Sequence, residues 1–79
     1  MELSKIEKSI YEIVRSIHNE KVITNDMNLE DDLCFDSLDL VDAVVLTERQ
    51  FGIDIADDVW IKCKTVQDIV NIVNNIINK

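Results

Sequence analysis

Apolar residues recur three and four apart over Leu3, Ile6, Ile10, Ile13, Val14 and Ile17. That period predicts a helix from about Leu3 to His18. Ser4 followed by Glu7 has the form of a capping box at its start. His18, the only histidine, falls at the end of this helix, where a cation meets the negative end of the dipole. Residues 19–35 break the period. Their isolated apolar residues, Val22, Ile23, Met27 and Leu29, predict a polar connection pegged to the core at a few points, and connections this long are often functional. A second helix is expected to begin at Asp36–Ser37 and run to about Phe51. Its buried stripe is assigned to Leu38, Val41, Val44 and Val45, with Leu40 or Leu46 beside them. Asp36 can cap it, Asp39 completes an acidic first turn, and Asp42 shares a face with Asp39. Gly52 suits a left-handed helix end. In residues 53–64, Ile53 and Ile55 are expected to plug the core before a short helix at about Asp57–Ile61. Thr65 and Asp68 form a capping box for a last helix, Val66 to about Ile77, with the stripe Val66, Ile69, Val70, Val73, Ile76 and Ile77. The predicted fold is all-α, a small four-helix bundle of three long helices and one short one, in a single domain over residues 1–79.

Composition supports this picture. The 79 residues include one glycine and no proline. A chain of this size buries one small core and little more. Its cysteines, Cys34 and Cys63, have no paired spacing and read as free thiols of a reducing cytoplasm. No apolar stretch is long enough for a signal peptide or a membrane span.

Charge adds more. The formal net charge is −8. Residues 1–25 hold four acids and four bases, residues 26–58 hold eleven acids and one base, Arg49, and residues 59–79 hold one acid and three bases. The negative field therefore belongs to the middle third. It argues against nucleic-acid binding, which needs cations to displace phosphate counterions. It favours partners with basic patches, drawn in by long-range attraction. The plainer alternative is that the acids keep a small domain soluble.

Inside that acidic third, Ser37 stands among Asp31, Asp32, Asp36 and Asp39, with no base between Lys21 and Arg49. Nucleophilic catalysis needs a base beside the serine, and the single histidine lies on another helix. Two distant cysteines and one histidine do not make a zinc site. Leu33, Cys34 and Phe35 interrupt any calcium loop. No glycine-rich phosphate cradle is present. The carboxylates are crowded and lack a pocket of converging polar groups, so an enzyme is not expected. Two readings of Ser37 remain: a helix cap, or a hydroxyl to which something is attached.

The segments "DLCFDSLDLVDAV", "FGIDI" and "KTVQDIVNIV" together resemble the acyl carrier proteins of the discrete, single-domain kind. The resemblance spans nearly the whole chain. It implies that Ser37 carries 4′-phosphopantetheine, attached from coenzyme A by a phosphopantetheinyl transferase. The thiol of that arm would hold acyl groups as thioesters for the enzymes of fatty-acid or related lipid synthesis. By the same resemblance Asp36, Leu38, Asp39, Asp42 and Glu48 match a face that docks basic patches on acyl-transferring and chain-elongating enzymes. Val41, Val44, Val45, Phe51, Ile55 and Cys63 match positions that could line an acyl cleft; ordinary core is their plainer reading. A cytoplasmic monomer that is no enzyme and binds no metal is implied. The chain departs from the family in several places. Cys34 stands where the family usually has glycine, which predicts a different backbone geometry there. Arg49 and Gln50 shorten the acidic run after Glu48, Ala56 replaces a usual proline, Cys63 replaces a larger apolar residue, and Trp60 replaces a smaller one. These departures leave room for a specialised carrier, of a polyketide or another acyl product. An unmodified acidic interaction module, with Ser37 only a cap, is the alternative from another class.

Overall fold

The computed structural model describes residues 2–19 and 22–78; Met1, Glu20, Lys21 and Lys79 lie outside the described residues, as does that part of the predicted connection. Among the described residues four helices follow in order: α1 Leu3–Ile17, α2 Ser37–Phe51, α3 Asp57–Trp60 and α4 Val66–Ile77. The expected all-α arrangement of three long helices and one short one is the observed one. α1 packs against both α2 and α4, and α3 packs against α4.

The outer pair of long helices builds the core. Ile6, Ile10, Ile13 and Val14 of α1 are buried against Val66, Ile69, Val70 and Val73 of α4. Each such side chain stabilises the fold by roughly 1.5–3 kcal/mol relative to exposure. α4 starts with the expected box: the Thr65 hydroxyl accepts from the Asp68 N–H at 3.2 Å, and Asp68 Oδ2 accepts from the Thr65 N–H at 3.0 Å. The start of α1 differs from expectation. Its N-cap is Glu2, with no side-chain cap. The helix begins at Leu3, which puts Ser4 inside the first turn, where it cannot cap. Glu7 is drawn away instead, accepting from Asn25 Nδ2 at 2.5 Å. At the other end His18 lies just outside the helix as its C-cap.

α2 corrects its predicted stripe. The buried residues are Ala43, Val44 and Thr47, with Leu40, Leu46 and Phe51 partly buried. Leu38, Val41 and Val45 are exposed. The core row therefore follows 40, 43, 44, 47 and 51, a true 3.6-residue period. Thr47, the one buried polar residue among those described, turns its hydroxyl back to the Ala43 carbonyl at 2.7 Å. Gly52 ends α2 with φ 64° and ψ 40°, the left-handed C-terminus expected of it. Beyond it Ile55 is buried and Ile53 partly so.

The connection before α2 is ordered by polar pairing as much as by pegs. Ile23 and Leu29 are buried, whereas Val22 is 64% exposed and pegs nothing. The Leu29 N–H donates to the Lys64 carbonyl (2.8 Å), the Val66 N–H to the Met27 carbonyl (3.1 Å) and the Gln67 N–H to the Asn25 carbonyl (2.8 Å). Asn25 joins three elements: its Nδ2 donates to Glu7 and Gln67, and its Oδ1 accepts from the Tyr11 hydroxyl. Backbone groups that neither helix nor strand satisfies are paired this way.

Candidate functional site

Ser37 is the first residue of α2 and is exposed. The segment before it delivers it there. Asn28 Oδ1 accepts from the N–H groups of Glu30 and Asp31, both at 2.9 Å, and Asp32 Oδ2 accepts from the Asn28 N–H at 2.7 Å. The Phe35 N–H closes back onto the Leu29 carbonyl at 2.7 Å. Leu33 and Phe35 are buried, while Cys34 between them faces solvent at φ 57°. A changed loop geometry was the expectation at Cys34. The residue instead occupies the left-handed region that glycine would occupy without strain, at a cost of about 1–2 kcal/mol.

Asp36 then caps α2. Its Oδ1 accepts from the Asp39 N–H at 2.8 Å, and Asp39 Oδ2 accepts from the Asp36 N–H at 3.2 Å. The cap is therefore Asp36 and not Ser37. The serine hydroxyl has no hydrogen-bond partner among the described residues. It sits where first-turn N–H groups and the helix dipole favour an anion.

A cavity of about 510 Å³ opens beside Ser37. Leu29, Phe35, Leu40, Val41, Trp60, Ile61 and Cys63 form its apolar walls, and Asn28, Glu30, Asp31, Asp36 and Lys64 its polar rim. Of the six residues matched to a cleft, Val41 and Cys63 line it. Val44 and Ile55 are buried in the core, and Phe51 packs against it. Val45 faces a different groove of about 570 Å³, between α1 and α2, with Asp39, Asp42 and Arg49. Leu29, Phe35, Leu40, Trp60 and Ile61 were not anticipated as walls. The signal for Leu40 was its place on the α2 core row, which the adjacent outer row obscures. Trp60 is steadied by its Nε1–H donating to Asp57 Oδ1 at 3.1 Å. Burial, and then the charge of Asp68, pushes the Cys63 thiol up to about 11, so it stays protonated at neutral pH.

The acidic face is present on α2 but is not uniform. Leu38 is 72% exposed, and Asp36 and Asp42 are exposed beside it. Glu48 is half-buried, and its Oε2 accepts from the Ile55 N–H at 2.8 Å. That carboxylate holds the 53–55 bend. No helix among the described residues is long and apolar enough to cross a membrane.

A free serine hydroxyl at a helix start, beside an apolar cavity, fits a phosphodiester-linked arm with an acyl chain. The profile of the family described as "Phosphopantetheine attachment site" matches residues 8–73. An acyl carrier protein of Buchnera aphidicola subsp. Schizaphis graminum is 39% identical over 75 residues, covering 92% of this chain and 95% of that one. One of Rickettsia canadensis is 41% identical over 68 residues, covering 84% and 79%. A solved Mycobacterium tuberculosis structure described as an acyl carrier protein superimposes with a TM-score of 0.85 at 32% identity, over 89% of this chain and 96% of that one. On these matches and this architecture, the chain belongs to the acyl carrier family, whose members bear phosphopantetheine.

Proposed function

We propose that Ser37 is the attachment residue and that residues 1–79 act as one carrier domain. The observation that carries this is the unpartnered Ser37 hydroxyl at the α2 start, opening onto the apolar cavity. The arm supplies a thiol that holds acyl groups as thioesters. The chain's own residues do the rest. Asp36 and Asp39 fix the first turn and hold Ser37 outward. Val41, Leu40 and Trp60 offer an apolar wall to the acyl chain. Asp36, Asp39 and Asp42 present negative charge, with Leu38 as an apolar contact, to basic patches on a phosphopantetheinyl transferase and on acyl-transferring and chain-elongating enzymes. Glu48 adds to that field without offering a free carboxylate. Fatty-acid synthesis in the cytoplasm, by a monomer without catalytic activity of its own, is the reading we favour. A specialised acyl product is the second, supported by Trp60 and Cys63 in the cavity wall.

The test is intact mass after incubation with coenzyme A and a promiscuous phosphopantetheinyl transferase. The wild type should gain one arm and Ser37→Ala none. A folded wild type that gains no mass would sink the reading and leave an acidic interaction module.

A further inference from the structure

An arm on Ser37 adds an anion to the most acidic part of the molecule. Residues 26–58 hold a single base, Arg49, and it lies in the groove with Ser16 and Asp42 and not beside Ser37. Glu30, Asp31 and Asp36 share the cavity rim with Ser37. One base joins them there, Lys64. Its backbone is held from both sides. The Lys64 N–H donates to Asp68 Oδ2 at 2.8 Å, and its carbonyl accepts from the Leu29 N–H at 2.8 Å. The residue is thus fixed in place, yet its ammonium has no ion pair or hydrogen bond among the described residues. An ammonium on a flexible four-carbon stem is a mobile point charge suited to phosphate.

We propose that Lys64 is the counter-charge of the phosphodiester on Ser37 and holds the root of the arm at the cavity mouth. This rests on Ser37 being the attachment residue. A free base on an otherwise acidic rim offsets the repulsion that the new anion meets from Glu30, Asp31 and Asp36. Lys62 provides the control. It is exposed and carries the same charge two residues away, but it lines a separate groove with Val59 and Asn71.

The experiment compares apo and holo forms of the wild type, Lys64→Gln, Lys64→Arg and Lys62→Gln, each checked by intact mass. Melting is followed at low and high salt, and the phosphodiester by ³¹P NMR. At low salt the holo-minus-apo difference in Tm should be more negative in Lys64→Gln than in the wild type by about 2–4 °C. Lys64→Arg should restore the wild-type difference, Lys62→Gln should keep it, and salt should erase the contrast. The ³¹P resonance should move in Lys64→Gln and stay in Lys62→Gln. If every protein gains the arm and the two glutamine variants behave alike in both measurements, the role of Lys64 is overturned while Ser37 stands. If the wild type gains no arm, both fall together.

Discussion

α1 and α4 each wear one apolar stripe, and α2 wears two. In α1 and α4 the periodic residues of the helix middles go to a single place, the core between those helices, while Leu3 and Ile76 of the expected stripes, at the helix ends, are exposed. In α2 one row, Ala43, Val44 and Thr47 with Leu40 and Phe51, goes to the core. The other row, Leu38, Val41 and Val45, is left toward solvent among Asp39 and Asp42. A helix that only supports the fold can make its outer face wholly polar. A helix that must also meet ligands and partners keeps apolar side chains outside, and its periodicity blurs.

The largest effect that sharpens this contrast compares one residue from each row. Ile10, 1% exposed in the middle of α1, is surrounded by core. Ile10→Ala should cost about 2–5 kcal/mol, through lost burial and the cavity left behind. That is a large share of the roughly 5–15 kcal/mol that holds a typical domain together. Leu38→Ala on the outer row should stay within about 0.5 kcal/mol. Urea midpoints of the two variants decide the matter. If Leu38→Ala were as damaging as Ile10→Ala, the outer row would be core and the two-row account of α2 would collapse.

The same contrast explains what could be read from sequence. α1 and α4 were legible to within a residue, because their polar faces leave the period unambiguous. The caps at Asp36 and Thr65 were legible too, since a box needs only residues three apart. Ser4 and Glu7 show the limit of that rule: the pattern was present, but Asn25, eighteen residues away, took the carboxylate. The hub at Asn25 had no local signal, since its partners lie on α1 and α4. The α2 register was misjudged because Leu38, Val41 and Val45 follow a helical spacing as good as that of the core row. Of the residues matched to a cleft, Val41 and Cys63 line the cavity, Val45 on the outer row faces another groove, and Val44, Phe51 and Ile55 belong to the core. Family likeness pointed to Ser37, while its freedom from capping duty came only from geometry.

The approach to α2 gives a smaller effect of opposite sign. Cys34 holds a left-handed conformation so that Leu33 and Phe35 can both turn inward. Cys34→Gly should relieve that strain. The greater freedom glycine brings to the unfolded chain offsets part of the gain. A net stabilisation of about 0.5–1 kcal/mol is expected, raising Tm by roughly 2–8 °C. A fall in Tm would mean that the cysteine makes contacts outweighing its backbone strain. α1 and α4 contain no comparable residue, since Cys34 and Gly52 are the only positive φ positions among the described residues.

The subtlest effect lies on the cavity wall, where the supporting region meets the working one. Burial, followed by the charge of Asp68, raises the Cys63 thiol from an ordinary 9.0 to about 11. Folding therefore favours the neutral thiol. Its contribution is fully present below pH 9 and is lost as pH rises toward 11. The Tyr11 hydroxyl, raised from 10.0 by burial and then by Glu7, adds a loss of the same sign at the upper end of that window. Cys63→Ala should flatten the alkaline decline in Tm and leave only the tyrosine's share. Reactivity gives a second readout in the Cys34→Gly background, where Cys63 is the sole thiol. With a two-unit rise in pKa, the thiolate is about 100-fold scarcer in the folded protein than in the unfolded chain near neutral pH. Alkylation by iodoacetamide should slow in proportion. Equal rates in the folded and urea-unfolded protein would place Cys63 on the open face with Leu38, and the cavity would lose one of its walls.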